Sequence, residues 1–494
     1  MTDPKPRADL RQRLMSVPRA VWILGWMLVA FTVPFLVRAW YLSHVPDIGD
    51  PFDVAEFCKS NDISPENDAL PAYRRASTLY FGEYADHYSR SVPRVGTWQV
   101  SAPIKEAIDP VLTQGWGVAE DYVKEWVATH EPSLSEWRQA TELDRIRFNP
   151  SQSLLWLYVD NGLRYLQEVD SVARLRGRQC EAENDFAGAF DWYRARLRYR
   201  ENLWSGAAYY YERESMDLVR WAALPDVTLA QLRNARSQLH RDQASIKPAS
   251  NAIKIEYIRA MNLLSDRDGL TTWIRYSTGN QTPMTTKDKF EASLWRTAYW
   301  VCGEPERTRR IYQHLVANQL RTIDLPAPQR RPTYFTSSTL MYLDDPAVPL
   351  PSGHLNVGRI AAAIQSSAIS GLLEIGLFQN SGLDMYLQES HAFRVLLELQ
   401  LALQSHHRNH GEFPAKLEDL VPDDIDAVPV DPCDPAALNI RYRRDNSGQA
   451  TVWSVGNNGT DENGVRHFYT GDAALVVLAP TVPGTGASQK TSKD

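Results

Sequence analysis

Cysteine is scarce. The 494 residues hold four, Cys58, Cys180, Cys302 and Cys433, each more than a hundred positions from the next. No CxxC or Cys/His finger spacing exists, which argues against a structural zinc site. Four is also too few for a disulfide scaffold in a chain this long. Free, buried thiols are the simpler expectation, with one or two bridges open if the chain lies in an oxidising compartment. Excess positive charge is lacking too: 53 Lys and Arg face 60 Asp and Glu, for a net charge of −7. No nucleic-acid partner is expected, because counterion release needs a basic face. Catalytic signatures are missing as well. The chain has no GxSxG, no Walker A and no GxGxxG, so no catalytic residue is assigned, although catalytic groups can converge from distant positions. What remains is 43% hydrophobic and 23% charged. That composition excludes a disordered or collagen-like chain and allows two or three domains.

One apolar run stands out. Val21 to Val37 reads VWILGWMLVAFTVPFLV, without a charge, between Arg19 and Arg38. Trp22, Trp26, Trp40 and Tyr41 supply interfacial rings at its ends. With its flanks it approaches the roughly 20 residues that span a bilayer core. Lys5, Arg7, Arg11, Arg13 and Arg19 precede it, whereas Asp47, Asp50, Asp53 and Glu56 are the next charges after Arg38. The positive-inside rule therefore predicts a single-pass inner-membrane (cytoplasmic-membrane) protein with its N-terminus in the cytoplasm and the bulk of the chain extracytoplasmic. A cleaved signal peptide ending near Val37-Arg38-Ala39 is the competing expectation.

From Asn67 to about Leu325 the apolar spacing is helical. Ser153 to Arg178 forms one helix on this pattern. Glu183-Asn184-Asp185 makes a polar turn, and a second helix begins at Phe186 with Ala187, Gly188 and Ala189 allowing close approach. Further helices are predicted over Thr228–Gln243, Ala252–Leu264, Lys287–Val301 and Pro305–Leu320. Arg194, Arg196, Arg198 and Arg200 alternate on the second helix and spread around it, so local carboxylate partners are expected rather than one anion patch. This hairpin resembles one tetratricopeptide-like unit. No strict 34-residue period accompanies it, so a solenoid-like array and an irregular bundle both stay open. Residues 324–353 carry six prolines and read as a loop or linker. Asn356 to Phe378 is predicted to be helical again.

Leu383 to Asn409 is predicted as a long amphipathic helix. It runs into Gly411-Glu412-Phe413-Pro414, then Leu417 to Pro422, then Pro429-Val430-Asp431-Pro432. Strands Ile440–Arg444 and Thr451–Val455 flank Asn446-Ser447-Gly448, a hairpin turn. A polar loop, Asn457 to Gly464, follows, and Ala473 to Leu478 is a third strand. In order and spacing these elements resemble the globular half of type II secretion major pseudopilins. The resemblance covers about 70 to 95 residues. It implies a small α+β lobe and a calcium ion held in the loop after the hairpin.

The loop chemistry is compatible with that ion. Asn457, Asn458, Asp461, Glu462 and Asn463 offer oxygens within seven residues, and Gly456, Gly459 and Gly464 permit tight turns. Residues 411–472 hold twelve acids against five bases, so a cation would relieve repulsion there. The alternative is a polar loop closed by Asx-turns. Two features depart from the pseudopilin pattern: the apolar run has no early Glu, and it lies over 300 residues upstream of the lobe. Polymerisation into a pseudopilus is therefore not expected. His406 and His410 share a helix face at a two-ligand metal spacing, without an HExxH glutamate.

The expected architecture is mainly α. It comprises a basic segment (1–19), a transmembrane anchor (20–41), a helical bundle or α-solenoid-like body (42–323), the Pro-rich loop (324–353), a helical segment (354–382), a pseudopilin-like lobe with a three-stranded antiparallel sheet (383–479) and a tail (480–494). The expected role is a membrane-anchored scaffold that binds a protein partner at the cell envelope. An envelope hydrolase with its site in the body, or an accessory part of a secretion apparatus, is the alternative.

Overall fold

The computed structural model describes residues 19–43, 47–81, 102–143, 145–151, 165–203, 208–245, 247–265, 304–323, 333–336, 339–342, 380–446, 448–456, 458–465 and 473–477. The helices predicted over Lys287–Val301 and Asn356–Phe378 lie outside these residues, as does Cys302. Helical periodicity gives way to helices in order: α1 (Arg19–Ser43), α2 (Val54–Ser60), α3 (Leu70–Phe81), α4 (Ala102–Gln114), α5 (Asp121–Thr129), α6 (Glu131–Glu142), α7 (Leu166–Ala182), α8 (Phe186–Leu203), α9 (Ala208–Ala222), α10 (Leu229–Ser245), α11 (Ala249–Ser265), α12 (Glu304–Thr322) and α13 (Asn380–His410). The fold is mainly helical. Among the described residues no helix is long and apolar enough to cross a membrane. Several side chains of the Val21–Val37 run, Phe31 and Pro34 among them, lie outside that description.

The α7–α8 hairpin shows how local chemistry sets the architecture. Asn184 takes a left-handed conformation (φ 62°), and Asp185 N–H reaches back to the Cys180 carbonyl at 2.8 Å, closing α7. The Asp185 carboxylate then accepts the Gly188 N–H at 2.9 Å and starts α8. The close approach comes from Gly177 on α7 rather than from Gly188: a Cβ at Gly177 would lie 2.5 Å from the Tyr193 ring. Tyr193, Trp137 and Trp221 are fully buried, and Trp221 donates its indole N–H to the Phe186 carbonyl at 2.9 Å. Burying side chains of this size contributes about 1.5–3 kcal/mol each.

Helix α13 departs from the amphipathic expectation. Leu399, Gln400, Leu401, Ala402, Leu403, Gln404 and Ser405 are consecutive and all buried. Seven residues make nearly two turns, so this stretch faces packing partners on every side. Those partners are α9 and α10 on the body side, and strands β4 (Ala450–Ser454) and β5 (Ala473–Val477) on the other. One apolar core therefore runs from Ala69 in the body, through Leu396 and Leu401, to Val452 and Val455.

Strand β3 (Arg441–Arg444) pairs antiparallel with β4, with Arg441 opposite Trp453 and Tyr442 opposite Val452; β4 pairs in turn with β5. Inside the segment expected to be loop, β1 (Thr333–Thr336) and β2 (Thr339–Tyr342) form an antiparallel hairpin, so part of that proline-rich stretch is ordered backbone pairing. Cys58, Cys180 and Cys433 are free thiols; the last two are buried, and burial pushes the Cys180 thiol up to about 11.

Candidate functional site

Asn457 lies outside the described residues. Of the other four residues of the proposed ion loop, Asp461 and Asn458 bond within the lobe through their side chains, and Glu462 does so through Oε1. Asp461 Oδ1 accepts the Trp453 indole N–H at 2.9 Å and the Asn463 backbone N–H at 2.8 Å. Asn458 Oδ1 accepts the Thr460 N–H at 2.9 Å, and its amide donates to Glu462 Oε1 at 2.6 Å. These are Asx-type closures, the alternative weighed above. Asn463 is left-handed at φ 61°, and its carbonyl accepts from Arg443 at 3.4 Å. The loop packs on Trp453: a Cβ at Gly464 would meet that ring at 3.3 Å.

Calcium requires oxygens converging on one point with no N–H donors among them. Among the described residues no group of three His, Cys, Asp or Glu side chains could hold a metal ion. Asp461 Oδ1, Asn458 Oδ1 and Glu462 Oε1 face N–H groups instead, so they do not fit a calcium cage as they stand.

A cation nevertheless sits beside this loop, and it belongs to the chain. Arg441 opens β3 with its side chain mostly buried. Each nitrogen of its guanidinium faces a different carboxylate: Nη1 meets Asp431 Oδ2 at 3.1 Å, Nη2 meets Asp434 Oδ2, and Nε lies 3.7 Å from Asp461 Oδ2. The other oxygen of each carboxylate accepts N–H or O–H donors. Asp431 Oδ1 takes the Cys433 N–H at 2.9 Å and the Ser454 hydroxyl at 2.6 Å. Asp431 Oδ2 also takes the Val455 N–H at 2.9 Å. Asp434 Oδ1 takes the Ala436 N–H at 2.6 Å. Burial opposes the Asp434 carboxylate, but the Arg441 hydrogen bond and the Ala436 N–H hold its pKa below the ordinary value. Arg441, Asp431 and Asp434 escaped sequence reasoning. Asp431 stood out only as part of a proline turn, and an arginine in a strand carries no sign of which turns it will face.

The histidine pair on α13 stacks instead of converging. The His406 and His410 rings lie 4.2 Å apart and 28° from parallel, and His406 Nδ1 is 3.6 Å from Asp424. Burial and the neighbouring His410 lower the His406 pKa.

In the body, the alternating arginines of α8 find carboxylates on neighbouring helices rather than local ones. Arg196 binds Asp170 on α7 at 2.9 Å and also reaches Asp217 on α9, while Arg174 pairs with Asp217 at 2.8 Å. Arg194 and Arg198 meet Asp242 on α10. A cavity of about 20 Å³ beside Arg198, Asp242 and Arg394 has room for roughly one water. Its ionic groups are paired with one another, which is a structural network and not a substrate cleft. No family model matches the chain, and neither a curated protein nor a solved structure matches it.

Proposed function

We propose that the chain is a single-pass, membrane-anchored scaffold whose folded mass lies outside the cytoplasm and binds a protein partner at the cell envelope. The observation that carries this reading is α1. It is 25 residues long, about 37 Å at 1.5 Å per residue against a bilayer core of ~30 Å. Several of its described apolar side chains are exposed: Leu24 is 61% exposed, Trp26 68% and Leu36 68%. Such a continuous apolar surface calls for a lipid or protein cover, and the uncharged Val21–Val37 run with basic residues before it favours lipid.

The chain leaving α1 is tied to the body. Asp47 accepts from Arg309 on α12 at 2.6 Å, and Tyr257 on α11 donates to Asp50. Such ties would hold the body at a fixed distance from the bilayer, as a scaffold requires. We read α13 with β3–β5 as a small α+β lobe of pseudopilin-like build. The motif order favours a place beside a secretion apparatus as the second reading. Calcium is left out of the proposal, since the described loop oxygens do not form a cage for it.

The test is extraction followed by capture. The full-length protein should stay with the membrane fraction in alkaline carbonate and leave it in detergent, and the solubilised protein should retain an envelope partner. Release by carbonate alone would contradict the anchor. Retained pilin-like subunits would favour the second reading.

A further inference from the structure

We infer that Arg441 is the structural cation of the C-terminal lobe, a tethered charge that takes up the carboxylates around the 461–464 loop in place of a metal ion. The three Oδ2 atoms of Asp431, Asp434 and Asp461 come from two separate turns and face one guanidinium, one nitrogen each. A metal at that point would have to displace the guanidinium.

Among the described residues, N–H donors line the other side of the site. The Trp453 indole N–H and the Asn463 N–H point at Asp461, and the Cys433 and Val455 N–H groups point at Asp431. These donors stabilise the carboxylates without a second cation. Arg441 thereby joins strand β3, the 431–434 turn and the 461–464 loop. Arginine suits the task because its planar fork stays charged and serves several oxygens at once. The inference does not depend on the anchor, and its failure would leave the membrane proposal untouched.

The experiment is thermal melting of the full-length protein in detergent, with millimolar calcium or with EDTA, for wild type, Arg441→Ser and Asp434→Asn. Wild type should melt at the same temperature in both. Arg441→Ser should melt lower by roughly 5–10 °C in both, because three carboxylates then lose the cation they share. Asp434→Asn should melt lower than wild type and stay indifferent to calcium. A wild type stabilised by calcium overturns the inference. So does an Arg441→Ser protein that melts like wild type. If Arg441→Ser does not fold, the wild-type and Asp434→Asn melts decide, with an unchanged Asp434→Asn melt counting against.

Discussion

Asp170, Arg196 and Asp217 are each under 4% exposed and bonded to one another across three helices. Removing one member of such a set leaves the others buried and unpaired, which costs about 3–5 kcal/mol. Arg196→Ala should therefore lose about that much stability in urea unfolding, and a loss below ~1 kcal/mol would show that water replaces the guanidinium. The set also makes a pH prediction. Burial opposes the Asp170 carboxylate, but Arg196, Arg200 and Arg174 hold its pKa below the ordinary value, as Arg441 does for Asp434. A depressed folded pKa contributes in full above the unfolded value of ~3.9 and is lost as pH falls through the folded one. The urea midpoint should drop on acidification below about pH 4, and a flat midpoint there would contradict it. Gly177→Ala should cost about 1–3 kcal/mol, since the new methyl meets the Tyr193 ring. At this scale the sequence was half legible. The alternation of Arg194 to Arg200 is plain, but their partners lie on other helices and only folding assigns them. Likewise Asp461 was expected to face an ion, and it faces Trp453 and Arg441 because strand register sets Arg441 opposite Trp453.

Elements were read more reliably than their surroundings. Periodicity placed α10, α11 and α12, and the acidic turn before Phe186 marked the α7–α8 junction, because caps and turns are local chemistry. Helix α13 was legible in its extent and not in its burial. The run Leu399 to Ser405 includes Gln400 and Gln404, which read as solvent-facing, and only the helices on one side and strands on the other reveal why they are buried. The β1–β2 hairpin was missed because the prolines that suggested a loop lie around the paired residues, not among them. Since α13 belongs to body and lobe together, Leu401→Ala should cost about 2–5 kcal/mol. Loss of near-UV and far-UV circular dichroism should then coincide in one transition. Two separated transitions would mean that the lobe is an independent domain.

At the scale of the whole molecule, two cations each fasten a separate segment. Arg309 holds the chain leaving α1 through Asp47, and Arg441 holds the lobe. The mainly helical architecture follows from composition and period. The side on which we propose it stands rests on the charge around one apolar run. The most direct measurement is therefore topological: reporter enzymes fused after residue 494 in full-length protein, one active only outside the cytoplasm and one only within it. The account predicts activity from the outside reporter alone, together with sedimentation in the membrane fraction. Activity from the inside reporter alone would contradict it.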